Sequence, residues 1–432
     1  MFRTVMHPRS HLAKRLRSSI LRIENQRLRT QGRAASTFDY KDSLQLRNLL
    51  EDEEIAIAST AEEYSQQRLL PRVLAAYRDE NFDKSILREM GEAGFLGATI
   101  TGYGCAGVSD VAMGVRYLPP RRKLFQYAAN RYDAKSSLSM GAIHDFGTEE
   151  LKEQFLPTMA KGALIGCFGL TEPNHGSDPG SMETTARIDP DREGMYLLSG
   201  SKTWITNSPI ADVLIVWAKL DGQVRGFLIE RARCPPGTLE TPAIKNKTGL
   251  RASITGMIHM DNVPVPKEFM FPDVEGLRGP FACLNNARYG IAWGTMGALE
   301  DCIERARDYS LSRKQFKGNP LAKYQLIQKK LADAVTDATF GLLACVQVGR
   351  LKEQGLLAPE MISMIKRQNC DRSLAHARHL QEIFGGNAVA DEYHIGRHVA
   401  NLFVAQTYEG QSDIHSRECI LTSLHTHLKS SV

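Results

Sequence analysis

The stretch TGYGCAGVSD, residues 101–110, sets Gly102, Gly104 and Gly107 in the spacing G-x-G-x-x-G. In a doubly wound α/β protein this spacing carries a strand into a helix and cradles a dinucleotide pyrophosphate. Such a turn needs a strong strand before it, a helix opening within it and an acidic residue about 20 positions later. Here only the short GATIT precedes it, and Arg121, Arg122 and Lys123 stand where the acid belongs. The stretch therefore reads as a glycine-rich turn between helices.

The sequence on either side agrees with that reading. From Glu51 to Gly97 the chain is rich in Ala, Leu, Glu and Arg, which predicts helices interrupted near Pro71 and ended by Gly94 and Gly97. Between Leu164 and Phe271 the texture changes to short apolar or alternating runs, MYLLSG, VLIVWAKL, GFLIE and GMIHM, separated by Gly, Asp, Asn and Pro. These predict strands. After Gly279 helical periodicity returns. Leu331, Val335, Ala338, Leu342, Cys345 and Gly349 fall on one stripe, and long helices are predicted over 359–384 and 395–407. Helices, then sheet, then helices is an α+β order, not βαβ alternation. It divides the 432 residues into a leader (1–36), an N-terminal helical domain (37–163), a middle β domain (164–276) and a C-terminal helical bundle (277–432).

The net charge of +5 is unevenly spread. Residues 1–36 hold nine Lys or Arg against the single acid Glu24, a local +8 that leaves −3 for the rest. An Arg-rich, Ser-containing, acid-poor leader with Leu12, Leu16, Ile20 and Ile23 at helical spacing predicts a mitochondrial presequence, cleaved near residues 33–36, and a matrix protein. The alternative, a basic arm on nucleic acid, lacks the interleaved aromatics that bases stack on. No nucleic-acid partner is expected. No run of 18 apolar residues occurs, and no membrane partner is expected. The eight cysteines show neither C-x-x-C pairs nor His at zinc spacing, so they predict buried thiols in a reducing compartment and no metal site.

Two motifs carry chemistry. CFGLTEPNHGSD (167–178) gathers Thr, Glu, Asn and Ser on a loop shaped by Pro and Gly, suited to the polar edge of a planar ligand, although a generic turn uses many of the same residues. SKTWITNSP (201–209) places Trp204 among polar residues in a β context, where an indole can stack on a cofactor or fill the core. Glu409 in TYEG, read alone, is a solvated residue at a helix end.

With GLTEPNHGSD, KTWITN, GLRASITGM, LNNARYGIAWG, QLIQKKLAD, IFGGN and TYEG in this order, the chain resembles the acyl-CoA dehydrogenase family, most closely its glutaryl-CoA-oxidising branch. The resemblance implies the family's three-domain α+β fold, FAD as cofactor, an acyl-CoA substrate, electron transfer flavoprotein as partner, and a homotetramer. It assigns Phe168, Gly169, Leu170, Thr171 and Ser177, with Trp204, Ile205 and Thr206, to the flavin ring. Arg313, Gln325, Glu382, Ile383, Phe384, Gly385 and Gly386 would grip the rest of FAD, partly across a subunit interface. Ser177, the run from Phe281 through Leu284 and Asn285 to Arg288, and Tyr408, which the glutaryl branch shares, match the acyl-CoA contacts, with Gly410 beside the thioester.

Glu409 matches the family's base. It would take the proton next to the thioester carbonyl while the neighbouring carbon gives hydride to the flavin, and its own backbone N–H would help hold the enolate oxygen. In the glutaryl branch CO2 then leaves and Glu409 returns its proton, giving crotonyl-CoA. Two alternatives stay open: a non-decarboxylating dehydrogenase of a short-chain or branched acyl-CoA, and an inactive paralogue with a structural role.

The resemblance lapses over VRYLPPRRKLFQYAANRYDAK (115–135), where the family carries an Arg for the far carboxylate of glutaryl-CoA. Alignment from either flank puts Ala128 or Ala129 there, with Arg131 out of register. Near-conserved length without shared sequence points to a shifted reading frame or misplaced splice boundary. Gln411 replaces a common flavin-contacting Thr, and QFKGNP holds one residue more than the family pattern.

Overall fold

The structure is a computed structural model that describes residues 38–116 and 138–429. The leader lies outside the described residues, as does the divergent segment apart from Val115 and Arg116. The N-terminal domain begins with α1 (Asp52–Tyr64), whose first turn is closed by a capping box between Glu51 and Glu54. The helix is not interrupted at Pro71. A π-turn over Ser65–Leu69 runs directly into α2 (Leu70–Asp79), and this widened turn just ahead of the proline accommodates a residue that cannot donate an N–H. The break comes instead at Glu80, in the left-handed region, before α3 (Ser85–Glu92).

The opening glycines form a loop between α3 and α4 (Asp110–Val115). Gly102, Gly104 and Gly107 all have positive φ, and Ser109 caps α4 through the Ala112 N–H. With no strand before it among the described residues and a six-residue helix after it, this loop is a turn. The short helices α5 (Gly141–Phe146) and α6 (Glu149–Ala160) follow.

The middle domain is one seven-stranded sheet: β1 (Gly166–Gly169), β2 (Thr185–Ile188), β3 (Met195–Thr206), β4 (Val213–Leu220), β5 (Gln223–Glu230), β6 (Leu239–Glu240) and β7 (Thr255–Pro266). Strand β4, VLIVWAKL, is buried along most of its length, as expected of a run without alternation. Antiparallel β5 covers one edge of it; the other edge is shared by two parallel strands, β1 along its first half and β2 at its end. Between β1 and β2 the sheet edge splits, and the loop carrying TEPNHGSD leaves there.

The C-terminal domain holds α7 (Arg278–Ser312), a hairpin of β8 (Lys314–Gln315) and β9 (Asn319–Pro320), then α8 (Gln325–Glu353), α9 (Pro359–Gln381), α10 (Ile395–Thr407) and α11 (Ser412–Lys429). The helix predicted to Phe384 ends at Gln381. Residues Glu382–Val389 tighten into a 3-10 turn with Gly385 at φ 57°. The extra residue of QFKGNP is looped out at the tip of the hairpin, where Phe316, Lys317 and Gly318 all take positive φ. Helix α8 is long and apolar enough by composition to cross a membrane, yet it packs against α4, α7 and α9 as a bundle helix. Arg350 on α8 grips the buried Glu54 of α1 at 2.6 and 2.7 Å, locking the two helical domains together.

Candidate active site

The two polar motifs are stapled by a buried ion pair. Lys202 on β3 donates to the Glu172 carboxylate at 2.8 Å and to the Leu170 carbonyl at 3.0 Å, and both charged side chains are sealed from water. Glu172 also accepts from the N–H groups of Glu183 and Thr184. Burial alone would raise its pKa, but these donors and Lys202 prevail and hold it down at about 2. The carboxylate thus closes the split sheet edge and fixes the 170–184 loop, and Thr203 N–H adds a bond to the Thr171 carbonyl.

Two residues beyond Lys202 the strand is irregular. Register against β7 slips between Lys202 and Ile205, and within this bulge Trp204 sits at φ 59° with its indole 61% exposed. A tryptophan in the left-handed region costs about 1–3 kcal/mol and persists only where its surroundings enforce it. Lys202 and Ile205 are buried on either side, and Asn207 fixes the turn beyond through Ile254 and Gly166. The indole is therefore presented outward. Of the residues the sequence grouped with it, Thr171 and Thr206 are half-buried and Ser177 exposed, whereas Phe168, Leu170 and Ile205 put their side chains into the core.

The TYEG turn is built differently. It follows the last turn of α10, and Glu409 (φ 52°) and Gly410 (φ 95°) both have left-handed backbone. Three buried side chains from three helices surround it. Arg288 of α7 donates to the Glu409 carbonyl at 2.9 Å; Lys366 of α9 reaches the carbonyls of Gln406 (3.4 Å), Tyr408 (2.9 Å) and Gly410 (2.6 Å). His415 of α11 lies under Gly410, where a Cβ would come within 2.7 Å of its Nε2. One oxygen of the Glu409 carboxyl is sealed from solvent. Burial lowers the pKa of Lys366, with Glu409 among the acids opposing that shift.

Phe281, Leu284, Asn285 and Arg288 lie at i, i+3, i+4 and i+7 on α7, one face of the helix. Arg288, matched above to the acyl-CoA contacts, is buried. Its guanidinium, bonded to Glu409 and Asn285 and 3.7 Å from Glu418, is committed to the protein. Ile383 and Phe384 have buried side chains, Phe384 stacking on Tyr309 at 4.6 Å. Glu382, Gly385 and Gly386, like Arg313 and Gln325, are exposed. Gln411 caps α11, its side-chain oxygen accepting from the Asp413 N–H. The sequence reading missed Lys366 and His415, which look like ordinary members of amphipathic helices.

Family models for the acyl-CoA dehydrogenase N-terminal, middle and C-terminal domains match residues 51–163, 167–263 and 275–424 in turn. The chain belongs to the acyl-CoA dehydrogenase family. Among relatives of this acyl-CoA dehydrogenase, the short-chain-specific enzyme of Megasphaera elsdenii is 31% identical over 82% of this chain and 93% of its own. A glutaryl-CoA dehydrogenase structure from Mycobacterium smegmatis superposes with TM-score 0.83 at 39% identity, covering 88% of this chain and 96% of that one. A second from that organism, in complex with FADH2, gives 0.84 at 37%, covering 89% and 97%. FAD is the cofactor of this dehydrogenase, and the residues fit it: an outward indole beside a loop of hydroxyls and backbone amides suits a flat aromatic ring with a polar edge.

Proposed function

We propose that this acyl-CoA dehydrogenase oxidises and decarboxylates glutaryl-CoA to crotonyl-CoA and CO2 and passes its electrons to electron transfer flavoprotein. The observation that carries the reading is the TYEG turn, in which a carboxylate is held on a left-handed, cation-anchored backbone with Tyr408 before it. The 37–39% identity to the two Mycobacterium smegmatis glutaryl-CoA dehydrogenase structures, against 29% for the butyryl-CoA dehydrogenase structure from Megasphaera elsdenii, supports the substrate class, while a further glutaryl-CoA dehydrogenase structure stands at 27%.

Bound FAD supplies the hydride acceptor for the β-carbon. Glu409 takes the α-proton, and its partly buried carboxylate suits a general base, because water does not compete for the abstracted proton. The enolate oxygen accepts from the Glu409 backbone N–H. After CO2 departs from the γ-carbon, its bonding electrons delocalise toward the thioester and Glu409 returns the proton to the γ-carbon.

The second reading, a short-chain or branched substrate without decarboxylation, is favoured by one observation: Ala128 or Ala129 where an Arg would meet the far carboxylate. Exposed Leu326, Phe340 and Val389 support self-association into a tetramer that completes the FAD site around Arg313 and Gln325. The Arg-rich leader supports a matrix location. The test is to incubate the purified yellow protein with glutaryl-CoA and an artificial electron acceptor. Crotonyl-CoA and CO2 in equal amounts are expected; turnover of butyryl- or isovaleryl-CoA alone selects the second reading.

A further inference from the structure

Lys366 is a buried ammonium with an unusual set of partners. It is 1% exposed, and among its hydrogen bonds are three to main-chain carbonyls, those of Gln406, Tyr408 and Gly410. Two of these belong to the C-terminal end of α10, where the helix dipole concentrates negative potential and a cation is favoured. Its Nζ also lies 5.9 Å from the centre of the Tyr408 ring. A capping lysine at an exposed helix end would satisfy the same carbonyls without the cost of burial, so the buried position needs another reason.

Peptide geometry supplies one. The described residues contain no cis peptide bond, so in each peptide the C=O of one residue and the N–H of the next point in opposite directions. With the Tyr408 carbonyl fixed on Lys366, the Glu409 N–H is aimed directly away from α9. With the Glu409 carbonyl fixed on Arg288, the Gly410 N–H is likewise turned away from α7. A cation on a carbonyl also draws electron density from the amide, making its N–H a stronger donor. Two buried cations thus orient and polarise consecutive peptides of the turn that carries the base.

We infer that Lys366 is a positioning residue of the reaction: by anchoring the Tyr408 and Gly410 carbonyls it aims and strengthens the Glu409 backbone N–H as the donor to the developing enolate oxygen. The inference rests on the acyl-CoA dehydrogenation reading above and adds a residue that acts only through the main chain. Its signature is selective: Lys366 stabilises the charged enolate and contributes little to binding the neutral thioester.

The test uses holoenzyme and an acyl-CoA with sulfur in place of the β-methylene, which can lose an α-proton but has no β-hydrogen to give. Its ionisation on the protein is followed by the long-wavelength absorbance that an enolate develops against the flavin. In Lys366→Met the apparent pKa of the bound analogue should rise by at least one unit, a tenfold loss of enolate stabilisation, less than the roughly hundredfold or more that removing an oxyanion donor outright costs because the N–H itself remains. Affinity for the un-ionised analogue should stay within about threefold, since the uncharged thioester draws little on this donor. Lys366→Gln, which keeps a donor but no charge, should fall between, and serves alone if the Met variant does not retain FAD. An unchanged ionisation pKa in a variant that holds FAD overturns the inference. Failure of the unmodified enzyme to ionise the analogue overturns the dehydrogenase reading itself.

Discussion

The Arg288 guanidinium donates to the carbonyl of Glu409 at 2.9 Å, joining residues 121 positions apart. This bond makes the turn after α10 part of the bundle core. Arg288 is in turn held by Asn285 and faces Glu418, whose pKa is drawn down to about 2 against its burial by His415, Ser363 and Arg288. The position of Glu409 is thus set by α7, α9 and α11 together.

Gly410 tests how tightly that turn is built. At φ 95° any other residue is strained, and an added Cβ would lie 2.7 and 2.9 Å from Nε2 and Cε1 of the buried His415. Gly410→Ala should cost about 1–3 kcal/mol of stability and displace Glu409, slowing flavin reduction at least tenfold. Thermal unfolding and stopped-flow flavin bleaching measure both. A variant with unchanged melting temperature and rate would show the turn to be soft.

Trp204 should separate cofactor affinity from folding. Its indole is 61% exposed, so Trp204→Ala removes little core and should shift the melting temperature of FAD-free protein by no more than a degree or two. FAD should bind about tenfold or more weakly, because one face of the ring loses its stacking partner. Titration of apoprotein with FAD reads the change, and equal affinity for FAD would place the ring elsewhere.

The Glu172–Lys202 staple should behave as a coupled pair. Lys202→Met leaves a buried carboxylate without its cation and should cost about 3–5 kcal/mol, together with FAD retention. Adding Glu172→Gln to it should recover part of the loss. Denaturant unfolding of the two single variants and the double variant gives the coupling; additive losses would contradict it.

Acid should weaken the fold in a defined window. Burial, then neighbouring Arg305 and Arg397, push His394 down to about 3; burial and Arg397 push His398 to about 4. Between those values and the ordinary 6.5 the unfolded chain binds protons that the native protein refuses, so stability is full above pH 6.5 and falls as pH drops toward 4. Unfolding midpoints across this range should decline, and His398→Gln should make the decline shallower by about one proton. A flat profile would mean that these rings take up protons in place.

The order helix, sheet, helix was legible because each domain keeps one periodicity throughout, and because GYGCAG lacked the strand and acid of a nucleotide turn. Pro71 misled because a π-turn just upstream widens the helix and accommodates it, which no local pattern announces. In the site, Trp204 was ambiguous until the bulge was visible, since alternation along β3 gives no warning of a register slip. Lys366 and His415 were silent because what matters in them is a contact to main chain some 40 positions away or a fit beneath a glycine. Arg288 was matched to the acyl-CoA by its motif, which gave no hint that its guanidinium also reaches Glu409, Asn285 and Glu418.

The most direct measurement is anaerobic mixing of Glu409→Gln holoenzyme with glutaryl-CoA, watching the flavin absorbance. The amide keeps the size and the backbone bonds of the turn but cannot accept the α-proton. The substrate should still perturb the flavin spectrum on binding, while bleaching slows by about a hundredfold or more relative to the unmodified enzyme. Bleaching at an undiminished rate would mean that another group removes the proton.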